Sequence, residues 1–413
     1  MSSESRPRLR AVEAIPVEHE GETMIALRDP AGYTPSVLLF PGALVEILAQ
    51  FDGTHALIDI QADILDRHGE MVPRDQLEKI EAALDEHGFL DSPRFAERRA
   101  AIDGAFLAAP RRPAAHAGGA YAGAPAELRR TMDGFFTHVH GPGPIAPDGA
   151  AAPAVTGLIA PHIDFHRGGA AYAWAYRELA ERGDADLFVI FGTCHAGMAD
   201  PFALTRKDYD TPLGPARVDR DVIERLAKRA QQDCFGSELA HRAEHSIEFQ
   251  AVFLQYLFAG RRDVTIVPVL ASFAHEAMLR GRGPEDDPRV PRFLDALVDT
   301  LGESGRRAVI VAGADLAHMG PRFGDPELVS DAERARIERE DRAMLEPVAA
   351  ANPRAFFDVV AGDRDRRRIC GYSPIYATVR TLTALGGNPR GVLRRYAQSD
   401  DPQGVVSFAS MVF

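Results

Sequence analysis

Cysteine is scarce in this sequence, since the 413 residues include only Cys194, Cys234 and Cys370. An odd and sparse set of cysteines does not form the disulfide framework of a small secreted protein. The N-terminal stretch MSSESRPRLR also lacks the apolar core of a secretory signal. We therefore expect a cytoplasmic protein whose thiols stay reduced, and reduced thiols are free to act as metal ligands or nucleophiles.

Long apolar runs and an excess of positive charge are lacking too. No run approaches the roughly 18 residues of a membrane-spanning helix, so we expect no membrane insertion. The 60 acidic residues outnumber the 47 lysines and arginines, and the formal net charge is −13. Because nucleic-acid binding needs a basic surface, we expect no nucleic-acid partner.

The motifs of several well-known enzyme classes are absent. The sequence has no paired C-x-x-C elements, no H-E-x-x-H, no G-x-x-x-x-G-K-[ST] and no G-x-S-x-G. A zinc peptidase, a P-loop nucleotidase and a serine hydrolase of the G-x-S-x-G type are therefore without support.

Residues 1–105 have the pattern of a small α+β domain. Two short strands, at Thr23–Leu27 and Ser36–Phe40, are followed by three helical patterns, and the apolar pair Phe89-Leu90 closes the last of them. This order predicts a winged-helix-like domain. Residues 106–126 are rich in Ala, Pro and Gly, and we expect them to form a linker and a loop leading into the second domain.

From residue 127 to residue 413, short apolar runs alternate with helical patterns. The main runs are bounded by Gly, Pro or polar residues: Val155–Ala160, Leu187–Phe191, Val264–Leu270 and Ala308–Ala312. Apolar runs separated by helices indicate a mostly parallel sheet that is covered on both faces. Two late runs, Val392–Tyr396 and Val405–Val412, are expected to add edge strands. The sequence therefore predicts a three-layer α/β/α domain.

Polar residues directly follow three of these four runs. His162 follows the first run, Cys194 and His195 follow the second, and Asp315 and His318 follow the fourth. In open α/β sheets, ligands bind beyond the carboxyl ends of the strands. One histidine or aspartate there is often a loop residue or a helix cap, but the convergence of several predicts a common site.

Two further segments carry candidate residues. His245 and Glu248 stand three residues apart at the start of a helical pattern, on one helix face, although a helix-capping arrangement would also account for them. Cys370 lies between the basic run Arg364–Arg368 and an apparent helix from Pro374. Positive charge and a helix N-terminus both lower the pKa of a thiol. We therefore expect a reactive thiol at Cys370, with a small buried hydrophobe as the alternative.

The candidate donors favour a particular kind of metal. Neutral imidazoles with a thiolate suit Fe(II), copper or zinc, and they do not suit Mg²⁺ or Ca²⁺. Two histidines, one cysteine and an open position would form a catalytic type of site rather than a closed structural one. If the thiol is structural, the alternative is a site of two histidines and the carboxylate of Asp315.

Taken together, the motifs resemble the Memo family, also called protein B of the AmmeMemoRadiSam system, in the family's order over about residues 110–413. The motifs are His116-Ala117-Gly118 with Tyr121, Ile159-Ala160-Pro161-His162, Gly192-Thr193-Cys194-His195, Glu244-His245-Ser246-Ile247-Glu248, Ile266-Val267-Pro268-Val269, Asp315-Leu316-Ala317-His318-Met319-Gly320 and Cys370-Gly371. The resemblance implies a LigB-like fold related to class III extradiol dioxygenases.

The resemblance also implies roles for individual residues. Three would bind the metal, which would be iron (Fe²⁺) or copper, with zinc as a further option: His162, His195 and Cys370. Three would line the pocket as catalytic groups: His245, Asp315 and His318. Beyond what the resemblance implies, we expect three residues to bind substrate: Asp164, His166 and Glu248.

Residues 7–89 resemble PqqD-like winged-helix domains, which bind the peptide substrates of modifying enzymes. This resemblance implies a peptide or protein substrate held by the N-terminal domain. The resemblance to the AmmeMemoRadiSam protein implies a radical-SAM enzyme as a partner. Two functions follow from the whole chain. One is an iron- or copper-dependent redox enzyme, and the other is a non-catalytic module that binds a peptide or a metal in the same pocket.

Overall fold

The structure is a computed structural model that describes residues 5–146, 153–401 and 403–413. The chain divides into two units, Met1–Ala108 and Ala109–Phe413. None of the described helices is both long enough and apolar enough to cross a membrane.

The first unit is an α+β unit with a three-stranded antiparallel sheet in the order β1-β2-β3. Its elements are β1 (Glu13–His19), β2 (Glu22–Arg28), β3 (Leu38–Pro41), α1 (Val45–Ala49), α2 (Leu57–His68), α3 (Arg74–Glu86) and α4 (Pro93–Ala108). The helices α1 to α3 bury Ile47, Ile60 and Leu77 in a common core with Phe89.

Two elements of this unit were not predicted. In β1, Ile15 and Val17 are only half-buried, so the strand lacks a clear apolar face, and it is held by its hairpin with β2. In α4 only Phe95 and Phe106 are buried, so the apolar stripe that marks a helix in a sequence is thin.

The second unit contains the remaining ten strands and nine helices of the described residues. They are β4 (Arg111–Arg112), α5 (Pro125–Thr137), β5 (Gly157–Ala160), α6 (Phe165–Arg182), β6 (Leu187–Thr193), β7 (Phe202–Leu204), β8 (Asp208–Tyr209), α7 (Arg220–Ala230), α8 (Ser246–Phe258), β9 (Thr265–Ala271), α9 (Ala274–Leu279), α10 (Arg289–Ser304), β10 (Ala308–Gly313), β11 (Asp315–Met319), α11 (Asp331–Ala349), α12 (Pro353–Gly362), α13 (Tyr372–Leu385), β12 (Val392–Gln398) and β13 (Val405–Val412).

The central sheet of this unit has eight strands in the order β11-β13-β5-β10-β6-β9-β7, with β12 also paired to β13. The strands β5, β10, β6 and β9 are parallel to one another. Only β7 and β13 run in the opposite direction, since β11 and β12 are antiparallel to β13. The predicted mostly parallel sheet is confirmed.

Helices cover both faces of the sheet, as the three-layer prediction requires. On one face α6 packs against α8, where Tyr172 and Tyr176 stack on Phe253 at ring distances of 4.9 and 4.7 Å. On the other face α13 lies over β10 and β6, and α10 packs between α13 and α7. The strands between these layers are buried on both sides, which explains why β6 is a continuous apolar run.

Residues 106–126 differ from the expected linker. Residues 106–108 complete α4, whereas Arg111–Arg112 pairs with β8 inside the second unit. Arg112 and Tyr121 are buried there. Residues 109–126 are ordered despite their Pro- and Gly-rich composition. Buried side chains such as Arg112 and Tyr121, rather than regular secondary structure, hold the segment in place.

Candidate metal centre

The register of the parallel strands brings the carboxyl ends of three of them to one level. Ala160 of β5 pairs with Gly313 of β10, and Gly313 pairs with Gly192 of β6. The chain therefore leaves these strands at one edge of the sheet, where α/β proteins bind ligands. His162 follows shortly after Ala160, and His195 shortly after Gly192, so the register brings both histidines to this edge.

The N-terminus of α8 lies against the same edge because β10 ends in Gly313 and β6 has Gly192 next to its last residue. A Cβ atom on Gly313 would collide with the backbone oxygen of Ser246, and one on Gly192 would collide with the side chain of Ile247. The Ser246 hydroxyl donates a hydrogen bond to the carbonyl oxygen of Thr193 at 2.9 Å. The residue before Ser246 is thereby held at the end of β6.

That residue is His245, and it joins His162 and His195. The ligand atoms of the three histidines all lie within 4.8 Å of one another. Their ring centroids are 4.9 Å apart for His162 and His195, and 4.6 Å apart for His195 and His245. Two nitrogens bound to one ion at about 2.0–2.1 Å lie at most about 4.2 Å apart. Small side-chain rotations would therefore let this cluster hold a metal ion.

Hydrogen bonds determine which ring nitrogen is free in two of the histidines. Nδ1 of His162 lies 2.9 Å from the carbonyl oxygen of Gly313, and Nδ1 of His195 lies 3.0 Å from Oε1 of Glu244. Carbonyl and carboxylate oxygens only accept, so both Nδ1 atoms carry a proton and donate it. In the neutral rings Nε2 then keeps its lone pair, as a metal ligand requires.

The three rings differ in their charge state. Burial and the neighbouring His195 lower the pKa of His162 to about 3, and burial lowers the pKa of His245 well below its usual value. Burial also opposes protonation of His195, but the carboxylate of Glu244 outweighs it and raises the pKa of His195. The site therefore offers neutral imidazoles at His162 and His245.

Glu244 is a site residue that sequence reasoning missed. Its side chain is only 5% exposed, and it accepts hydrogen bonds from the backbone N–H groups of His195, His245 and Ser246 at 2.9–3.0 Å. Burial disfavours its charge, yet His195 and His245 hold the pKa of Glu244 well below its usual range. The available signal was an acidic residue directly before His245, but nothing local showed that it would reach His195.

Cys370 lies beside the cluster and contacts one of its members. Its Sγ is 3.2 Å from Nε2 of His162 and 3.5 Å from the backbone oxygen of Asp315. The thiol does not belong to the group of three whose ligand atoms converge. The chain can come this close to β11 because a Cβ atom on Gly371 would meet the backbone of Asp315 and the side chain of Ala314.

The expected lowering of the Cys370 pKa is wrong, because the preceding arginines face other partners. Three of them form ion pairs with carboxylates: Arg366 with Glu333 and Glu340, Arg367 with Asp341, and Arg368 with Asp325. Burial and the charge of Asp315 raise the pKa of Cys370 well above its usual value. A thiolate at this position needs a nearby cation, and a bound metal ion would supply one.

Asp315 also reaches the cluster. Its Oδ1 accepts the backbone N–H of His162 at 2.9 Å, and its Oδ2 lies 3.7 Å from Nε2 of the same residue. Burial raises the pKa of Asp315 to about 6. His318 is part-buried, packs edge-on against Phe323, and has its pKa lowered by burial. The catalytic roles of Asp315 and His318 stay predictions.

Asp164 and His166 lie just beyond His162, at the start of α6. Asp164 caps the helix by accepting the backbone N–H of Arg167 at 3.1 Å, and it also pairs with the Arg167 side chain. His166 is exposed, with Nε2 at 3.3 Å from the carbonyl oxygen of Gly119. Their substrate-binding roles stay predictions.

Glu248 lies in α8 and contacts the segment of residues 112–121. It is fully buried and forms an ion pair with Arg112 and a hydrogen bond with the hydroxyl of Tyr121. It also accepts the backbone N–H groups of Ala115 and His116 at 3.2 and 3.0 Å. These four donors connect residues 112–121 to α8. The substrate-binding role expected for Glu248 stays a prediction.

Fold and site together define an α/β protein in which a cluster of three histidines, open to solvent at His195, could hold a metal ion at the carboxyl edge of the sheet. Comparison with known proteins identifies the family. The family model of Memo-like proteins matches residues 112–412. The chain belongs to the Memo family.

Individual relatives agree with this assignment. A MEMO1 family protein of Aquifex aeolicus is 27% identical over 409 residues, which cover 99% of this chain and 100% of the relative. One of Methanopyrus kandleri is 30% identical over 303 residues, which cover 72% of this chain and 96% of the relative. One of Methanothermobacter thermautotrophicus is 30% identical over 306 residues, which cover 73% of this chain and 99% of the relative.

Proposed function

We propose that the protein is a Memo-type metalloenzyme that uses iron or copper for redox chemistry and is related to the class III extradiol dioxygenases. The observation that carries this proposal is the convergence of His162, His195 and His245 beside the thiol of Cys370. Imidazole and thiolate donors favour iron, copper or zinc over hard ions. Zinc would fit the same donors but has no redox chemistry of its own.

In this proposal His162, His195 and Cys370 hold the metal, and His245 is a further donor because its ligand atom converges with those of the other two histidines. When bound, iron or copper would supply one-electron transfer. Asp315 lies next to His162, and its pKa of about 6 suits a group that donates or accepts a proton near neutral pH. His318 would serve as a second proton acceptor because burial keeps its ring neutral.

We also propose that the N-terminal unit recruits a peptide or protein substrate in the cytoplasm, with a radical-SAM enzyme as partner. Among the described strands β3 pairs only with β2, and Val37 and Leu39 at this edge are 54% and 43% exposed. An extended peptide can add a strand to such an edge. Titration with candidate substrate peptides should give weaker binding for Leu39→Asp, and equal affinity for both proteins would remove this part of the proposal.

Metal analysis of the protein purified without oxygen tests the central claim. We expect about one iron or copper ion per chain, and consumption of O₂ by the loaded protein in the presence of a reductant. His162→Ala should abolish both. Stoichiometric zinc without O₂ consumption, or tight peptide binding without turnover, would instead identify the non-catalytic binding module.

A further inference from the structure

A single carboxylate joins the two chain segments that bring His195 and His245 to the cluster. Oε2 of Glu244 accepts the backbone N–H of His195 at 2.9 Å. Oε1 accepts the backbone N–H groups of His245 and Ser246 at 2.9 and 3.0 Å. Because the first segment follows β6 and the second begins α8, this carboxylate fixes the position of one segment relative to the other.

The same carboxylate contacts the imidazole rings. Nδ1 of His195 lies 3.0 Å from Oε1 and 3.1 Å from Oε2 of Glu244. Nδ1 of His245 lies 3.3 Å from Oε1. A carboxylate that accepts from Nδ1 of a histidine fixes the tautomer and the ring orientation, and such partners of metal ligands change metal affinity by 10–100-fold in general.

We propose that Glu244 is a positioning residue of the metal centre, which holds His195 with its proton on Nδ1 and directs Nε2 toward the ion. This inference rests on the proposed metal binding. His162 obtains the same orientation from the backbone oxygen of Gly313, so of these two rings it is His195 that depends on a side chain for it. Glu244 therefore controls one ligand of the centre directly, and it sets the position of α8.

Glu248 shows what a purely structural carboxylate looks like in this region. It lies in the first turn of α8, four residues after Glu244, and is fully buried. Its partners are Arg112, Tyr121 and two backbone N–H groups. None of these contacts is to an imidazole ring. Glu244 differs because its contacts include two histidine rings as well as backbone donors.

The test compares Glu244→Ala and Glu244→Gln with the wild type. Affinity is measured with Zn²⁺ alone and, without oxygen, with Fe²⁺ alone. The His195 tautomer is read in the metal-free protein from nitrogen–proton correlations of its ring, at a pH where the imidazoles are neutral. We expect Glu244→Ala to weaken metal binding by about 10–100-fold and to lose the Nδ1–H form of His195. Glu244→Gln keeps one acceptor oxygen and should restore part of both.

Asp219→Asn is the matched control. Asp219 is also a buried carboxylate, and it caps α7 by accepting the backbone N–H of Val222 at 3.1 Å. It lies near the opposite edge of the sheet, beside Thr265 at the start of β9. We expect this variant to lose thermal stability without any change in metal affinity or in the His195 tautomer.

Three results would overturn the inference. The first is metal affinity in folded Glu244→Ala within about threefold of the wild type, and the second is an equal loss in Asp219→Asn. The third is a wild-type His195 that carries its proton on Nε2. This result would show that Glu244 does not hold the Nδ1–H tautomer, even if neither Glu244 variant folds. If the wild type binds neither metal, the proposed function fails, while the tautomer in wild type and variants still decides whether Glu244 orients His195.

Discussion

At the scale of single residues, three buried carboxylates near one sheet edge have three different environments. Glu248 is paired with Arg112 and supports the scaffold. Glu244 faces two histidines and stays charged. Asp315 accepts the backbone N–H of His162, and burial raises its pKa to about 6. The same chemical group thus anchors the scaffold in Glu248, and in our proposals it orients a ring in Glu244 and exchanges a proton in Asp315.

In the proposed centre, the thiol of Cys370 is the donor on which the choice of metal depends. Cys370→Ser keeps the shape of the side chain but removes the soft donor next to Nε2 of His162, so the affinity for Fe²⁺ and Cu⁺ should fall at least about tenfold. The fold should persist. Metal stoichiometry and thermal unfolding of the variant, measured beside His162→Ala, check this prediction.

Cys194→Ser provides the control for this experiment. The Cys194 thiol is buried, and burial with the charge of Glu244 raises its pKa to about 12, so it is an inert thiol. We expect metal binding close to that of the wild type. Unchanged metal binding in Cys370→Ser would show that this thiol is structural as well, and would favour two histidines with the carboxylate of Asp315.

His241 makes the stability of the second unit depend on pH. Its Nε2–H donates to the carbonyl oxygen of Ala203, and its Nδ1 accepts from the hydroxyl of Tyr209 at 2.7 Å. Burial lowers the pKa of His241 from 6.5 to about 3. The unfolded chain therefore binds a proton that the folded chain does not, and stability is lost as the pH falls from about 6.5 toward 3.

Between pH 7 and pH 5 this single group should cost the wild type about 2 kcal/mol of unfolding free energy relative to His241→Gln. Glutamine can keep both hydrogen bonds but does not titrate. Trp174 is the single tryptophan and lies in α6, so urea unfolding followed by its fluorescence reports on the second unit. Parallel pH dependence in the two proteins would contradict the prediction.

At the scale of secondary structure, the site depends on how closely α8 approaches the ends of β6 and β10. In Gly313→Ala the new Cβ atom would meet the backbone of Ser246 and the side chain of Gln250. Because α8 must move, we expect a loss of about 1–3 kcal/mol in unfolding free energy together with weaker metal binding. Trp174 fluorescence in urea and a Zn²⁺ titration measure the two effects.

Gly302→Ala is the comparison for this variant. Gly302 lies in α10, and a Cβ atom there would meet nothing within 4 Å. Alanine favours a helix by up to about 1 kcal/mol over glycine, so this variant should be as stable as the wild type or more stable. If Gly313→Ala also matched the wild type in both measurements, the approach of α8 would not be what positions His245.

Elements with a strong local pattern were predictable, and those held by distant partners were not. The helical pattern predicted to start around His245 is α8, and the apolar run at Ala308–Ala312 lies within β10. By contrast β11 starts with Asp315 and was not predicted, because it becomes a strand only by pairing with β13 about 90 residues later in the chain. Two-residue strands such as β8 carry no periodicity at all.

The same distinction applies to the site. His162, His195 and Asp315 were found because each follows a strand end, which is a local signal. Glu244 was missed because its role arises only when the segment before α8 meets the segment after β6. The lowered pKa predicted for Cys370 from the preceding arginines was wrong for the same reason. The carboxylate partners of these arginines, including Asp341 and Asp325, come from distant parts of the sequence.

At the scale of the whole molecule, the relatives differ in how much of this chain they match. The Aquifex aeolicus relative matches this chain over 99% of its length. The alignment with the Methanopyrus kandleri relative covers 96% of that relative but only 72% of this chain. A Memo family protein therefore does without about a quarter of the present chain, and the family model begins only at residue 112.

We therefore predict that a shortened chain of residues 109–413 folds and binds metal with the same stoichiometry and affinity as the full chain. All three converging histidines and Cys370 lie in this part of the chain.

Arg112 lies in this part too, and it forms a buried ion pair with Glu248. A chain that starts at residue 115 lacks Arg112 and should be less stable, since removing one partner of a buried ion pair costs about 3–5 kcal/mol. Metal titration and Trp174 fluorescence in urea, applied to the full chain and both shortened chains, distinguish these cases. A folded 109–413 chain that lost metal binding would mean that the first unit contributes to the centre.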